Sequence, residues 1–192
     1  RAAAERIGLP LIEVDSNLGD FFEAFSFRQT HTVRNASVAQ LLQQGVATFL
    51  YASGYPYTQA GVRPYDAMGA SDSIALPLLS TDGLLALSSG GQYTRVGKTL
   101  KVAELADAHD TLDVCVQGKK AGNCSACEKC LRTLLTLDIA GCLERFAAVF
   151  DLEIYHKHRR MFIAKVLKSE DPMHCEIVTF ADERGVALAD WA

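Results

Sequence analysis

Four of the chain's six cysteines lie in one short segment, where Cys115, Cys124, Cys127 and Cys130 follow the spacing C-x8-C-x2-C-x2-C. Two C-x-x-C steps that share Cys127, joined across a Gly-rich loop to Cys115, can place four sulfur atoms at the corners of a tetrahedron. The Zn–S distances in such a site are about 2.3 Å. The alternatives are a pair of disulfides or four unrelated thiols, but a reducing cytosol would keep such thiols reduced. The spacing therefore predicts a structural zinc site.

An apolar stripe follows the cysteines. Leucine, isoleucine, cysteine and phenylalanine recur at steps of three and four from residue 131 to residue 150. This period predicts an amphipathic helix that holds Cys130 in its first turn or begins just after it. Four sulfur ligands leave no open coordination position for a catalytic water, so we expect the metal to stabilise the fold rather than to react.

The composition is that of a globular chain, since 49% of the 192 residues are hydrophobic and 22% are charged. The formal net charge of −4 argues against binding nucleic acid by bulk electrostatics, and the basic run at 156–160 is interpreted as a solvated helix face. No apolar run approaches the roughly 20 residues of a membrane span, and we expect no signal peptide. We expect a cytoplasmic protein with no membrane partner, and a homo-oligomer is left open.

Short apolar runs alternate with helical patterns along residues 1–150. Strands are predicted at 9–15, 46–52, 74–79, 84–87 and 112–116, and helices from the cap at Asn35 or Ser37 to Gly45 and over 98–108. This order predicts an α/β domain with a mainly parallel sheet that includes the cysteine segment 115–130. Residues 1–8 are expected to be the end of a helix, so that the chain begins inside a larger domain. Residues 151–192 are expected to add a basic helix over 151–169 and a strand over 175–180.

Polar residues follow two of the predicted strands. Asp15 ends the first strand, and Ser53 and Gly54 follow the second. Ligands of open parallel sheets bind outside the carboxyl ends of the strands. Arg34 and Asn35 at the entrance of the helix between these strands, and Lys98 at a later helix start, would face the same crevice.

The six residues Asp15, Arg34, Asn35, Ser53, Gly54 and Lys98 are therefore predicted to bind a small-molecule substrate or nucleotide. A plain loop at 53–57 is an equal alternative. Ser88-Ser-Gly-Gly91 follows another strand, but lacks the residues that complete a phosphate loop and is interpreted as a turn.

The cysteine spacing, followed by Leu131-Arg132 and a helix, resembles the zinc site of the PP-loop ATP pyrophosphatases, most closely the 7-cyano-7-deazaguanine synthases. Arg34-Asn35 ahead of the strand at 46–54, and the apolar run 74–79 ahead of Lys98, are similar to the same family. The resemblance covers residues 9–150. It implies a Rossmann-like, adenine nucleotide alpha hydrolase-like fold that is truncated at its N-terminus, because the family's SGG-x-DS loop precedes the matched part.

The resemblance also implies an activity. The complete protein would bind ATP and Mg²⁺, adenylate a carboxylate or amide with release of pyrophosphate, and let ammonia displace AMP, as in queuosine biosynthesis. The cations implied are Lys98, Arg95, Arg34 and Arg132, the catalytic residues are unassigned, and this chain alone is expected to be inactive. Two alternatives remain open. One is a PP-loop enzyme that thiolates tRNA through Cys142 or Cys175, and the other is a non-catalytic, zinc-stabilised interaction module.

Overall fold

A computed structural model describes residues 1–62, 68–117 and 122–191. They form a mixed α/β structure with eight α-helices and two strands in that part of the chain. The helices are α1 Ala2–Arg6, α2 Leu18–Phe21, α3 Phe27–Leu41, α4 Asp72–Leu78, α5 Arg95–Ala103, α6 Glu128–Ile139, α7 Leu152–Val166 and α8 Pro172–Glu183. The strands are β1 Thr48–Ala52 and β2 Leu85–Ser89.

The chain divides into two compact units. We call residues 12–94 the sheet unit, and residues 1–11 together with 95–192 the cysteine unit. The divisions fall at 11/12 and 94/95 rather than at the predicted 150/151, because α7 and α8 both pack on α6. The last part of the chain therefore shares one core with the cysteine segment.

The sheet unit holds a parallel pair of strands. β1 and β2 align from Thr48 opposite Leu85 to Ala52 opposite Ser89, which confirms strands in the predicted runs 46–52 and 84–87. The continuous apolar run at 46–52 predicts a strand covered on both faces, but this is wrong, since Leu50 is 61% exposed and Leu85 is 49% exposed. α4 packs on β2 and leaves these two leucines on an open face.

Three predicted strands differ in the structure. Residues 74–79 lie mostly in α4, because a short apolar run suits a buried helix as well as a strand. The runs 9–15 and 112–116 form no strand among the described residues, so the sheet there has two strands rather than the predicted several. The finer Rossmann-like assignment remains a proposal.

α3 begins earlier than predicted. Ser26 is its N-cap in a capping box, in which the Ser26 amide donates to Gln29 Oε1 at 3.0 Å and the Ser26 side chain accepts from the Gln29 amide. Arg34 and Asn35 consequently lie in the middle of α3 and not at its entrance. The S-x-x-Q motif from Ser26 to Gln29 is the signal in the sequence for this earlier start, rather than a cap at Asn35 or Ser37.

The core of the cysteine unit is built around α6, of which Leu134, Leu135 and Leu137 are fully buried. α6 starts right after Cys127, so Cys130 lies in its first turn as predicted. The predicted helix over 131–150 is too long: α6 ends at Ile139, and Gly141, with φ of 69°, leads into a 3₁₀ turn at Leu143–Phe146.

The segments 1–8, 151–169 and 175–180 of this unit can be compared with the sequence predictions. α1 ends just before Gly8, which has φ of 69°, and α7 occupies the predicted basic segment. The predicted strand at 175–180 is wrong, because it lies within α8. Asp171 caps α8 by accepting from the Met173 amide at 2.8 Å, and Pro172 suits the first helical position. No helix of the described residues is long and apolar enough to span a membrane.

Candidate metal centre and cationic cleft

The four predicted cysteines come together. The sulfur atoms of Cys115 and Cys127 are 3.9 Å apart, those of Cys124 and Cys130 3.9 Å, and those of Cys127 and Cys130 3.5 Å. All four lie within 4.8 Å of one another. A tetrahedron with Zn–S bonds of about 2.3 Å has S–S edges of about 3.8 Å. These residues could therefore hold a metal ion, and their spacing fits zinc.

A tight turn shapes the two C-x-x-C steps. Ser125 adopts the left-handed region, with φ of 57°, and its hydroxyl accepts from the Asp151 amide at 2.8 Å. The Cys127 amide donates to Cys124 Sγ at 3.3 Å, and Cys127 then caps α6. The unpaired amides at the start of a helix stabilise negative charge, which favours thiolates there.

Asn123 joins the two segments that carry the ligands, and sequence reasoning missed it. Its Nδ2 donates to the carbonyl oxygens of Leu112, at 2.8 Å, and Val149, at 3.0 Å. Its Oδ1 accepts from the Val114 amide at 2.9 Å. The side chain therefore holds the irregular segment of Cys115 against the turn of Cys124. An asparagine next to a cysteine was the only signal in the sequence.

The metal-free thiols favour their protonated form at the buried end of the cluster. Burial, and then the hydrogen bond and negative charge of Cys127, raise the pKa of Cys130 far above that of a free thiol. A bound cation reverses this preference, because thiolates are the metal ligands and their protons are released on binding. The cluster is thus suited to holding a metal rather than to acting as a set of nucleophiles.

A cleft of about 520 Å³ borders Cys115 within the cysteine unit. One face of α5 and one face of α6 line it, together with residues 112–116. The α5 residues are Arg95, Lys98, Thr99 and Val102, and the α6 residues are Lys129, Arg132 and Thr133. Lys98 is the one predicted binding residue in this unit, and the implied cations Arg95 and Arg132 line the same cleft.

The other five predicted binding residues belong to the sheet unit. Arg34 and Asn35 line a second cavity, of about 500 Å³, but Asp15, Ser53 and Gly54 are not among its lining residues. Arg34 lies 4.8 Å from the centre of the Phe22 ring and donates to the Phe22 carbonyl oxygen at 3.3 Å. The roles of all six residues in binding stay predictions.

Ser88 and Ser89 are the last two residues of β2, and a tight turn begins at Gly90. Gly90 has φ of 82°, and a Cβ atom on Gly91 would lie 2.4 Å from the ring of Tyr57. The Tyr57 amide donates to the Gly91 carbonyl oxygen at 2.7 Å. The glycines thus let Tyr57 approach the turn closely.

A buried polar network in the sheet unit was also missed. Asp72 is 1% exposed, and its Oδ1 accepts from Thr32 Oγ1 at 2.5 Å. Its Oδ2 has no hydrogen-bond partner among the described residues. His31 Nδ1 lies 2.9 Å from the hydroxyl oxygen of Tyr51, which also accepts from Asn35 Nδ2 at 3.0 Å. Burial raises the pKa of Asp72 and lowers the pKa of His31, so it disfavours the charged form of each group.

Asp72 should make stability depend on pH. Because its pKa is higher in the folded than in the unfolded chain, its contribution is full below the unfolded pKa of about 4 and is lost as pH rises through the folded pKa. We expect Asp72→Asn to reduce this fall in the free energy of unfolding. Urea unfolding of both proteins between about pH 4 and pH 8 measures it. Parallel curves would contradict the assignment.

Comparisons of the chain with protein-family models, with curated proteins and with solved structures found no match.

Proposed function

We propose that this chain is the zinc-bearing part of an ATP-dependent adenylating ligase of the PP-loop class, similar to 7-cyano-7-deazaguanine synthase. The observation that carries the proposal is the four-sulfur cluster directly ahead of Leu131-Arg132, at the spacing of that family. The parallel pair of β1 and β2 adds support, because it suits a Rossmann-like fold in the complete protein. Ser53 follows β1 at the carboxyl end of this pair.

In this proposal the metal is structural. Cys115, Cys124, Cys127 and Cys130 would hold zinc, which supplies a cross-link between the segment at 112–116 and the start of α6. Lysine and arginine side chains, together with Mg²⁺, would neutralise charge on phosphate during adenylation. ATP and Mg²⁺ are cofactors of the complete protein, and the acceptor is a small molecule.

The thiolating alternative receives less support. It requires a reactive thiolate, but burial raises the pKa of Cys142 and keeps its thiol protonated. Cys175 is exposed, with its sulfur 3.6 Å from the Ser169 carbonyl oxygen. Among the described residues, the thiols of Cys142 and Cys175 form hydrogen bonds with the carbonyl oxygens of Leu137 and Ser169 and none with a cationic side chain. We therefore favour the adenylating ligase.

The product formed from ATP tests the proposal. With Mg²⁺, ammonia and a heteroaromatic carboxylate, the complete gene product should form AMP and pyrophosphate, whereas the 192-residue chain alone should release no pyrophosphate. Chromatography of the nucleotides distinguishes AMP from ADP. ADP as the product, or no turnover of ATP by the zinc-loaded complete protein, would contradict the proposal. Pyrophosphate release by the chain alone that is lost in Gly90→Ala would show that the turn at Ser88 to Gly91 binds phosphate.

A further inference from the structure

We propose that the cleft between α5 and α6 binds the phosphate group of a small organic phosphate. We call it the cationic cleft, and it is lined by the two helix faces and by residues 112–116. The proposal goes beyond the adenylating activity and does not depend on it. A zinc-stabilised binding module could carry the same site.

The two helices present the same pattern to this cleft. α5 begins with Arg95-Val-Gly-Lys98-Thr99, and α6 contains Lys129-Cys-Leu-Arg132-Thr133. Each is a cation, two other residues, a second cation and a threonine. Positions i, i+3 and i+4 share one face of a helix. Because α5 packs on α6, the two faces together place four cations and two hydroxyl groups around one space.

The described lining of the cleft carries more positive than negative charge. Asp113 lines the cleft, and its Oδ1 accepts from the Cys115 amide at 3.1 Å. Glu176 Oε2 accepts from the Arg95 amide at 2.7 Å at the start of α5. Glu128 on α6 pairs instead with Lys165 and with His174. Four cations and one carboxylate, Asp113, therefore line the cleft, while Glu128, Asp171 and Glu176 act on Arg132 from outside the lining.

The cations on α6 are available for a ligand. Lys129 is exposed, and neither Lys129 nor Arg132 forms an ion pair with a carboxylate in the described part of the chain. Arg132 Nη1 instead lies 2.7 Å from Met173 Sδ, and a thioether is a weak acceptor.

Repulsion between Arg95 and Lys98 on α5 also favours a bound anion. Burial, and then the charge of Arg95, lower the pKa of Lys98, although Glu176 acts in the opposite direction. An anion bound between Arg95 and Lys98 would relieve this repulsion. The cleft therefore gains electrostatically from a bound negative charge.

The shape of the cleft indicates the class of ligand. Arginine binds phosphate through paired hydrogen bonds and lysine binds it as a point charge, so the cations suit a phosphate dianion. The remaining lining includes the apolar side chains of Val102, Leu112, Val114 and Val116. A volume of about 520 Å³ exceeds the need of an isolated phosphate and lies in the range of small-molecule sites. These features together favour an organic phosphate, whose organic part would contact the valines and the leucine.

Calorimetric titration of the zinc-loaded chain tests the proposal, with inorganic phosphate, pyrophosphate and AMP as probes. We expect AMP to bind more tightly than inorganic phosphate. Lys98→Met and Lys129→Met should each weaken the binding of AMP and of pyrophosphate about tenfold or more, as expected for one lost charge-assisted hydrogen bond. Lys101→Met is the matched control, because Lys101 lies on α5 outside the cleft, in an exposed pair with Glu104. It should change the affinity less than about twofold.

Several results would overturn the proposal. They are no binding of any probe, equal affinity of the cleft variants and the wild-type chain, or an equal loss in Lys101→Met, which would indicate bulk charge. Tighter binding of a short single-stranded RNA than of AMP would assign the cleft to nucleic acid. If AMP binds no more tightly than inorganic phosphate, the claim that the cleft binds the organic part of the ligand is wrong. If Lys98→Met fails to fold, the result for Lys129→Met tests the proposal, because Lys129 is exposed. Circular dichroism and zinc content check that each variant is folded.

Discussion

Cys127→Ser is expected to unfold the cysteine unit and to abolish the binding of zinc. Cys127 is shared by both C-x-x-C steps and directly precedes α6, so its loss removes one of the four ligands at the start of the helix that carries the core. Structural zinc in small peptides contributes on the order of 10–16 kcal/mol of apparent binding free energy, more than the stability of most domains. Helical circular dichroism and zinc content per chain measure the two effects.

The same unfolding should follow when a strong chelator removes the metal from the wild-type chain. Cys175→Ser is the matched control, because Cys175 is exposed and lies outside the cluster. It should keep one zinc per chain and an unchanged melting temperature. An unchanged melting temperature in Cys127→Ser, or a zinc content near zero in the wild-type chain purified without added metal, would refute the metal centre.

Asn123→Ala should destabilise the cysteine unit by roughly 2–4 kcal/mol. The substitution removes three hydrogen bonds, each of which contributes about 0.5–1.5 kcal/mol, and leaves backbone groups of Leu112, Val114 and Val149 without that partner. Because Val114 precedes Cys115, we also expect a chelator to remove zinc faster from the variant. Denaturant unfolding and the rate of zinc release measure the two effects.

Asn123→Asp separates the contributions of the two ends of this side chain. It keeps an oxygen that can accept from Val114 but loses the amino group that donates to Leu112 and Val149. The oxygen that replaces Nδ2 would face these two carbonyl oxygens, and this repulsion should make the variant no more stable than Asn123→Ala. A free energy of unfolding of Asn123→Ala within about 0.5 kcal/mol of the wild type would show that solvent replaces these bonds.

Predictions from the sequence succeeded where one local signal dominates. The cysteine spacing predicted the cluster, because four ligands within 16 residues can meet whatever the rest of the fold does. They failed where tertiary packing or a cap decides between two structures of similar propensity. The β-prone run 175–180 is helical because Asp171 and Pro172 start a helix that α6 then buries. The spacing of the apolar residues in 74–79 does not distinguish a strand from a helix.

The candidate sites show the same division. The sequence marks Lys98, Arg95 and Arg132 as separate cations. Only the packing of α5 on α6 brings them to one cleft with Lys129. Arg34 and Asn35 were placed at a helix entrance, whereas the capping box at Ser26 puts them in mid-helix. The hydrogen bonds of Asp72 and Thr32 join residues forty positions apart, and no local pattern predicts such a pair.

The location of the metal ligands determines what a zinc measurement reports. All four cysteines lie in the cysteine unit, and none lies in residues 12–94. Local opening of a protein occurs in separate cooperative segments, and two parallel strands with an open face have little packing of their own. One zinc per chain in a preparation therefore shows that the cysteine unit is folded, and it does not report on the folding of the sheet unit. Quality control of the sheet unit needs its own probe, such as amide exchange of β1 and β2.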